Sequence, residues 1–122
     1  CGVNNHMGSK GTQNRQTMQL LMAELKKTGL FFVDSMTIHS SVAGSVAREY
    51  GVPSAQRDVF LDGGGVEAIP VQINALIEEA LTQGFAIGIA HTRPGVAEAI
   101  AAALPLFEAA GIELVHVSTL VK

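Results

Sequence analysis

The feature that most constrains this chain is an exchange of two hydrophobic periods: short apolar runs alternate with stretches in which apolar residues recur every three to four positions. After Thr12, read as an N-cap, the segment 15–29 places Met18, Leu21, Met22 and Leu25 on one helical face and carries Lys26 and Lys27 in its last turn before Gly29 stops it. LFFVDS at 30–35 is an apolar run closed by Asp34 and Ser35, and SVAGSVAREYG at 41–51 is a second helix ending in glycine. QRDVFLD at 56–62 reads as a strand, the glycines at 63–65 as its loop, and 66–84 as a helix with Pro70 tolerated near its first turn. FAIGIAH at 85–91 is a strand, 95–111 a helix bent by Pro105, and IELVHVS at 112–118 the last strand.

Such alternation predicts an α/β fold, with mostly parallel strands and crossover helices, because parallel neighbours need a helical return and then bury both faces of the sheet. Chemistry in these folds gathers at the carboxyl ends of the strands. Read off the sequence, those ends carry Asn5 and His6, then Asp34 and Ser35, then Asp58 or Asp62, then His91 with Arg93, and finally Ser118. His6, Asp58 and His91 are therefore expected on one rim.

Composition narrows the classes of function. A chain of 122 residues that is 48% hydrophobic buries a core and is not disordered. Its net charge of -3 offers no basic field for nucleic acid, and no apolar run reaches the roughly 18 to 20 residues that span a bilayer. One cysteine cannot form an internal disulfide.

Several of the rim residues also have structural explanations. Asp34 and Ser35 suit the start of the following helix as well as they suit a site. Asp62, ahead of three glycines, reads as a turn residue, and His39 and His116 as structural. The glycines at 63–65 lack the spacing and the Lys-Ser/Thr of a phosphate cradle. His6 and His91 stand out because both fall at predicted strand ends.

Five segments, in order, carry a resemblance: GVNNHMGS, LFFVDSMT, VAREYGVPSAQRDVFLD, AIGIAHTRP and GIELVHVSTLV. Together they resemble the carboxyl-terminal part of the divergent polysaccharide deacetylase family, relatives of metal-dependent carbohydrate esterases with a distorted β/α barrel. Where the family usually shows Gly-His-Pro, this chain has Ala90-His91-Thr92, with Arg93 and Pro94 following. The resemblance implies a partial (β/α) barrel and makes residues 1–122 the later part of a single domain. The family's amino-terminal β/α units, with an Asp-Asp pair, are expected to precede it.

It also implies a chemistry. A divalent metal, usually zinc, lowers the pKa of bound water for attack on an acetamide, and an acid protonates the departing amine. His6 is the implied metal ligand and His91 the implied acid. Asp58 orients His91 or pairs with Arg57. Asn4, Asn5, Ser9, Asp34 and Arg93 touch substrate or hold the ligands in place. The substrate implied is an N-acetylated sugar of envelope polysaccharide, and the location implied is the periplasm or cell envelope. A catalytically silent carbohydrate-binding relative and a small nucleotide-binding module are the alternatives. The chain alone is expected neither to hold metal tightly nor to deacetylate, since His6 is the one ligand it clearly supplies.

Overall fold

The computed structural model describes residues 1–122, which divide into two compact units, 1–56 with 116–122 and 57–115. Each has its own apolar core and its own parallel strands joined by helices, so the α/β reading holds.

In the first unit, strand β1 (Gly2–Asn4) leads through a short helix α1 (Ser9–Gln13) and a longer helix α2 (Arg15–Thr28) to β2 (Phe31–Asp34). Helix α3 (Ala43–Tyr50) then returns the chain to β3 (Ser54–Gln56), and the sheet runs β1-β2-β3, all parallel. The cap of α2 is Asn14, not Thr12: the Asn14 side chain accepts the Thr17 N–H at 2.9 Å, while Thr12 lies buried inside α1. Gly29 ends α2 at φ 69°, a left-handed turn that a residue without Cβ makes at little cost. Met18, Met22 and Leu25 of α2 pack with Phe32, Val46, Ala47 and Val52. Met22 is fully buried, and truncating it to alanine would open this core at a cost of about 2–5 kcal/mol.

Strand β3 has no strand signal in its sequence, Ser-Ala-Gln, and pairing makes it one. The Phe32 N–H donates to the Pro53 carbonyl at 2.9 Å, and on the opposite edge Ser54 exchanges two hydrogen bonds with Lys122, at 2.9 and 3.1 Å. The strand expected at 112–118 does not form. Its alternating pattern has no neighbouring strand to take its backbone groups, so 112–116 are irregular, Val117–Thr119 is a 3-10 turn, and Leu114 and Val115 stay 59% and 47% exposed.

The second unit pairs β4 (Val59–Phe60) with β5 (Gly88–Ile89), and helices α4 (Ile69–Gln83) and α5 (Val96–Ala109) pack on them. Both strands are shorter than the apolar runs that predict them. A 3-10 turn, Val66–Ala68, precedes α4, and Pro70 sits in its first turn, where the missing N–H has no partner to lose. Helix α5 runs on through Pro105. Leu61, Ile69, Ile73, Leu76, Ile77, Val96 and Phe107 form the core. A Cβ on Gly88 would stand 2.8 Å from Leu76 Cδ2, so a larger residue there would displace the end of that side chain. No helix in either unit is long and apolar enough to cross a membrane.

Candidate functional site

The register of the second unit decides which carboxylate meets His91. Val59 lies opposite Gly88 and Phe60 opposite Ile89, an offset of 29 residues. Carried past the carboxyl ends of the strands, that offset sets Asp62 level with His91. Carried past the amino ends, it sets Asp58 level with Ile87. The hydrogen bonds follow suit. Asp62 accepts the His91 backbone N–H at 3.2 Å on Oδ1 and faces His91 Nδ1 at 3.1 Å with Oδ2. Asp58 accepts the Ile87 N–H at 2.7 Å and the Gln83 side-chain amide at 3.2 Å.

The expectation that Asp58 orients His91 is therefore corrected, since Asp58 and His91 sit at opposite ends of the same strand pair. Asp62, read from sequence as a turn residue, does make a turn through its carbonyl, which accepts the Gly65 N–H at 3.1 Å, but its carboxylate holds the histidine. The register identifies it, since Asp58 and Asp62 have the same parity and only the offset of 29 tells them apart. Asp62 lies two residues beyond Phe60 and His91 two beyond Ile89, so each pair shares a face of the sheet.

Electrostatics agree with this geometry. The Asp62 side chain is 2% exposed and that of His91 25%. Burial alone would raise the Asp62 carboxyl, but the backbone N–H, the ring N–H and the charge of His91 outweigh it, leaving the pKa below its ordinary value. With Asp62 ionised, Nδ1 carries the proton that it donates to the carboxylate. Phe60 packs edge to face against the His91 ring, centroids 5.0 Å apart, and the Arg57 guanidinium lies 5.3 Å from the centre of the Phe60 ring. Arg93 is exposed in the loop between β5 and α5.

The first unit brings Asn4, Asn5, Asp34 and Ser35 together at the carboxyl ends of β1 and β2. Asn5 donates through Nδ2 to Asp34 at 3.3 Å and accepts the Ser35 N–H at 2.6 Å on its own Oδ1. The Ser35 hydroxyl donates to the Asn5 carbonyl at 2.6 Å and accepts from Asn4 at 3.2 Å. The Asp34 carboxylate also accepts the Met36 N–H at 2.9 Å and the Ser41 hydroxyl at 2.5 Å. Asp34 thus reaches α3 only through Ser41, whose hydroxyl accepts the Ala43 N–H, and is not itself the cap. Met7 and Met36, in the loops after these two strands, both adopt φ 49°, left-handed backbone that is strained for such residues. His6 is exposed on the first of those loops, and Ser9 donates to the Thr37 carbonyl at 3.4 Å. His39 and His116 are exposed on irregular segments.

Nowhere in the chain do three or more His, Cys, Asp or Glu side chains gather as a group that could hold a metal ion. A catalytic zinc usually draws three protein ligands, so the donor set of these residues does not by itself fit the zinc that the resemblance implies.

Residues 1–121 match the family described as divergent polysaccharide deacetylase. An uncharacterized protein of Haemophilus influenzae is 45% identical over 104 residues, which cover 84% of this chain and 37% of that protein. The uncharacterized protein YibQ of Escherichia coli K12 is 45% identical over 94 residues, 76% of this chain and 30% of its own. The crystal structure of the uncharacterized protein ATU2773 from Agrobacterium tumefaciens C58 superposes with a TM-score of 0.92 at 30% identity, covering 98% of this chain and 49% of that one. The chain spans about a third of the length of these two curated relatives and half that of the solved structure. Its parallel strands and crossover helices are consistent with a partial barrel of the deacetylase type. On the match along residues 1–121, this chain belongs to the divergent polysaccharide deacetylase family.

Proposed function

We propose that this chain carries the proton-transfer residue of a carbohydrate deacetylase, with His91 as the acid that protonates the departing amine and Asp62 as the carboxylate that holds it. The observation that supports this reading is the Asp62–His91 pair, one carboxylate spanning both the backbone N–H and Nδ1 of a single histidine. An ionised Asp62 keeps the proton on Nδ1 when His91 is neutral and stabilises the imidazolium when it is charged. Nε2 in that charged form gives its proton to the amine nitrogen as the C–N bond breaks. Arg93, exposed near by in sequence, is suited to anionic or carbonyl oxygens of the sugar.

The substrate in this reading is an N-acetylated sugar of envelope polysaccharide, and the setting the periplasm or cell envelope. Zinc enters through the family, and His6 is the side chain of this chain it would draw on. The test uses the full-length protein. Replacing His91 by alanine should leave bound zinc unchanged and slow acetate release from acetylated chito-oligosaccharides by roughly 10² to 10⁴, the worth of a positioned acid. Replacing His6 should lower zinc content. Wild-type turnover in the His91 variant would overturn the assignment, and sugar binding without acetate release by the unaltered protein would favour a silent relative.

A further inference from the structure

We infer that Arg93 selects an acidic substrate, an N-acetylated oligosaccharide that carries a carboxylate on the reacting sugar or on the next one. The inference rests on the reading that places the sugar at His91. Arg93 lies two residues beyond His91 in the loop between β5 and α5, so their Cα atoms stand no more than about 7 Å apart. The backbone around it is fixed. On one side the Asp62 carboxylate holds the His91 N–H. On the other, Arg93 opens a hydrogen-bonded turn. Its carbonyl accepts the Val96 N–H at 3.2 Å, and Gly95, at φ 83° and ψ -14°, is the third residue of a type II turn whose second is Pro94. A Cβ on Gly95 would stand 3.6 Å from the Val66 side chain, so the turn rests against the segment that follows Asp62. A long cation is thus mounted on a rigid base next to the histidine.

The distribution of charge says what that cation can receive. The unit formed by residues 57–115 holds two arginines against eight acidic side chains, whereas the other unit holds six basic side chains against three acidic ones. An acidic unit repels an acidic sugar unless a cation is placed to meet it. Arg57 precedes β4 and lies against the Phe60 ring. Arg93 is therefore the one cationic side chain of this unit that follows either strand. It is exposed and joins none of the chain's ion pairs, although Glu98 lies in the first turn of the adjoining helix. The hydroxyls and amides of a neutral sugar are met by neutral donors and acceptors. A guanidinium matches a carboxylate through two parallel N–H···O bonds.

The experiment reads binding apart from turnover. Full-length protein carrying His91→Gln is titrated by calorimetry with neutral chitotetraose, with a hyaluronan tetrasaccharide that bears uronic carboxylates, and with a glycan of alternating N-acetylglucosamine and N-acetylmuramic acid that bears lactyl carboxylates. One of the acidic probes should bind about tenfold more tightly than chitotetraose, the worth of a charge-assisted pair, and which one does so identifies the carboxylate. The ratio of kcat/KM between probes in protein with His91 intact should show the same preference. Arg93→Gln should abolish it, and Arg93→Lys should keep part of it, because an ammonium holds the charge without the paired N–H groups. Raising salt from roughly 50 to 500 mM should shrink the preference while Arg93 is present and have no such effect in Arg93→Gln. Acidic probes that bind no more tightly than chitotetraose, or a preference that survives in Arg93→Gln, would overturn the proposal. If protein with His91 intact releases no acetate from the preferred probe, yet the preference depends on Arg93, the hydrolase reading falls and the recognition of an acidic sugar stands.

Discussion

Asp34 in the first unit and Asp62 in the second are buried alike, each 3% exposed, and each follows or ends a parallel strand. Each also bonds across the same offset of 29 residues, Asp34 to Asn5 and Asp62 to His91. Their partners differ in kind. Asp34 accepts from an amide, a backbone N–H and a hydroxyl, none of which changes charge in the physiological range. Asp62 accepts from a histidine ring. Burial and position at a strand end are thus common to both, and the identity of the donor is what differs. Asp34 bonds the N–H of left-handed Met36 and fastens the loops after β1 and β2, while Asp62 holds an imidazole ring.

The largest effect expected from this contrast is on turnover. Asp62→Asn should lower kcat of the full-length protein by about 10–100-fold, the usual cost of losing a carboxylate that orients a site histidine. Asp34→Asn should change it by less than about threefold. Equal losses in the two variants would break the distinction and return Asp34 to the site.

Stability should show the reverse order of sensitivity. Asp34→Ala removes the acceptor of three donors at once and should cost about 1–3 kcal/mol in urea unfolding, with the Met36 loop the first to lose amide protection. An unchanged unfolding midpoint would show that the Asn5–Ser35 bonds hold the two loops without it.

A smaller effect comes from pH. The folded-state pKa of Asp62 is lowered, so its ionised form stabilises the fold above the ordinary carboxyl pKa of 3.8, and that contribution is lost as pH falls through the lower folded value. Unfolding free energy measured downward from pH 5 should thus fall less steeply in Asp62→Asn than in the unaltered protein. Parallel acid limbs would mean that His91 does not favour the ionised carboxylate.

Much of the scaffold was legible because its signals are local. Helix α2 announces itself through Met18, Met22, Leu25 and Gly29, and Pro70 marks the first turn of α4. Strand β3 was not legible, since Ser54, Ala55 and Gln56 become a strand only by pairing with β2 and Lys122. The same dependence on partners explains why 112–118, with a better strand pattern, forms none. In the candidate site His91 was legible from its place after an apolar run. Its carboxylate was not, because choosing between Asp58 and Asp62 needs the register of two strands.

That choice gives the smallest and sharpest of these tests. Asp58 and Asp62 are four residues apart, sit on either side of β4, and use the same offset to bond an N–H beside β5, at Ile87 and His91 respectively. Asp58 bonds a backbone group and the exposed Gln83 amide, so its carboxylate stitches the end of α4 and the entry to β5 to the start of β4. Asparagine keeps an acceptor for the Ile87 N–H, and Asp58→Asn should cost no more than about 1 kcal/mol, the net worth of a hydrogen bond. Turnover should stay within about twofold, because nothing joins Asp58 to the proton on His91. A loss of kcat as large as that in Asp62→Asn, with the His91 tautomer unchanged, would place Asp58 against substrate. A loss accompanied by a mixed tautomer would instead show that the amino ends of β4 and β5 set the register on which the Asp62–His91 pair depends.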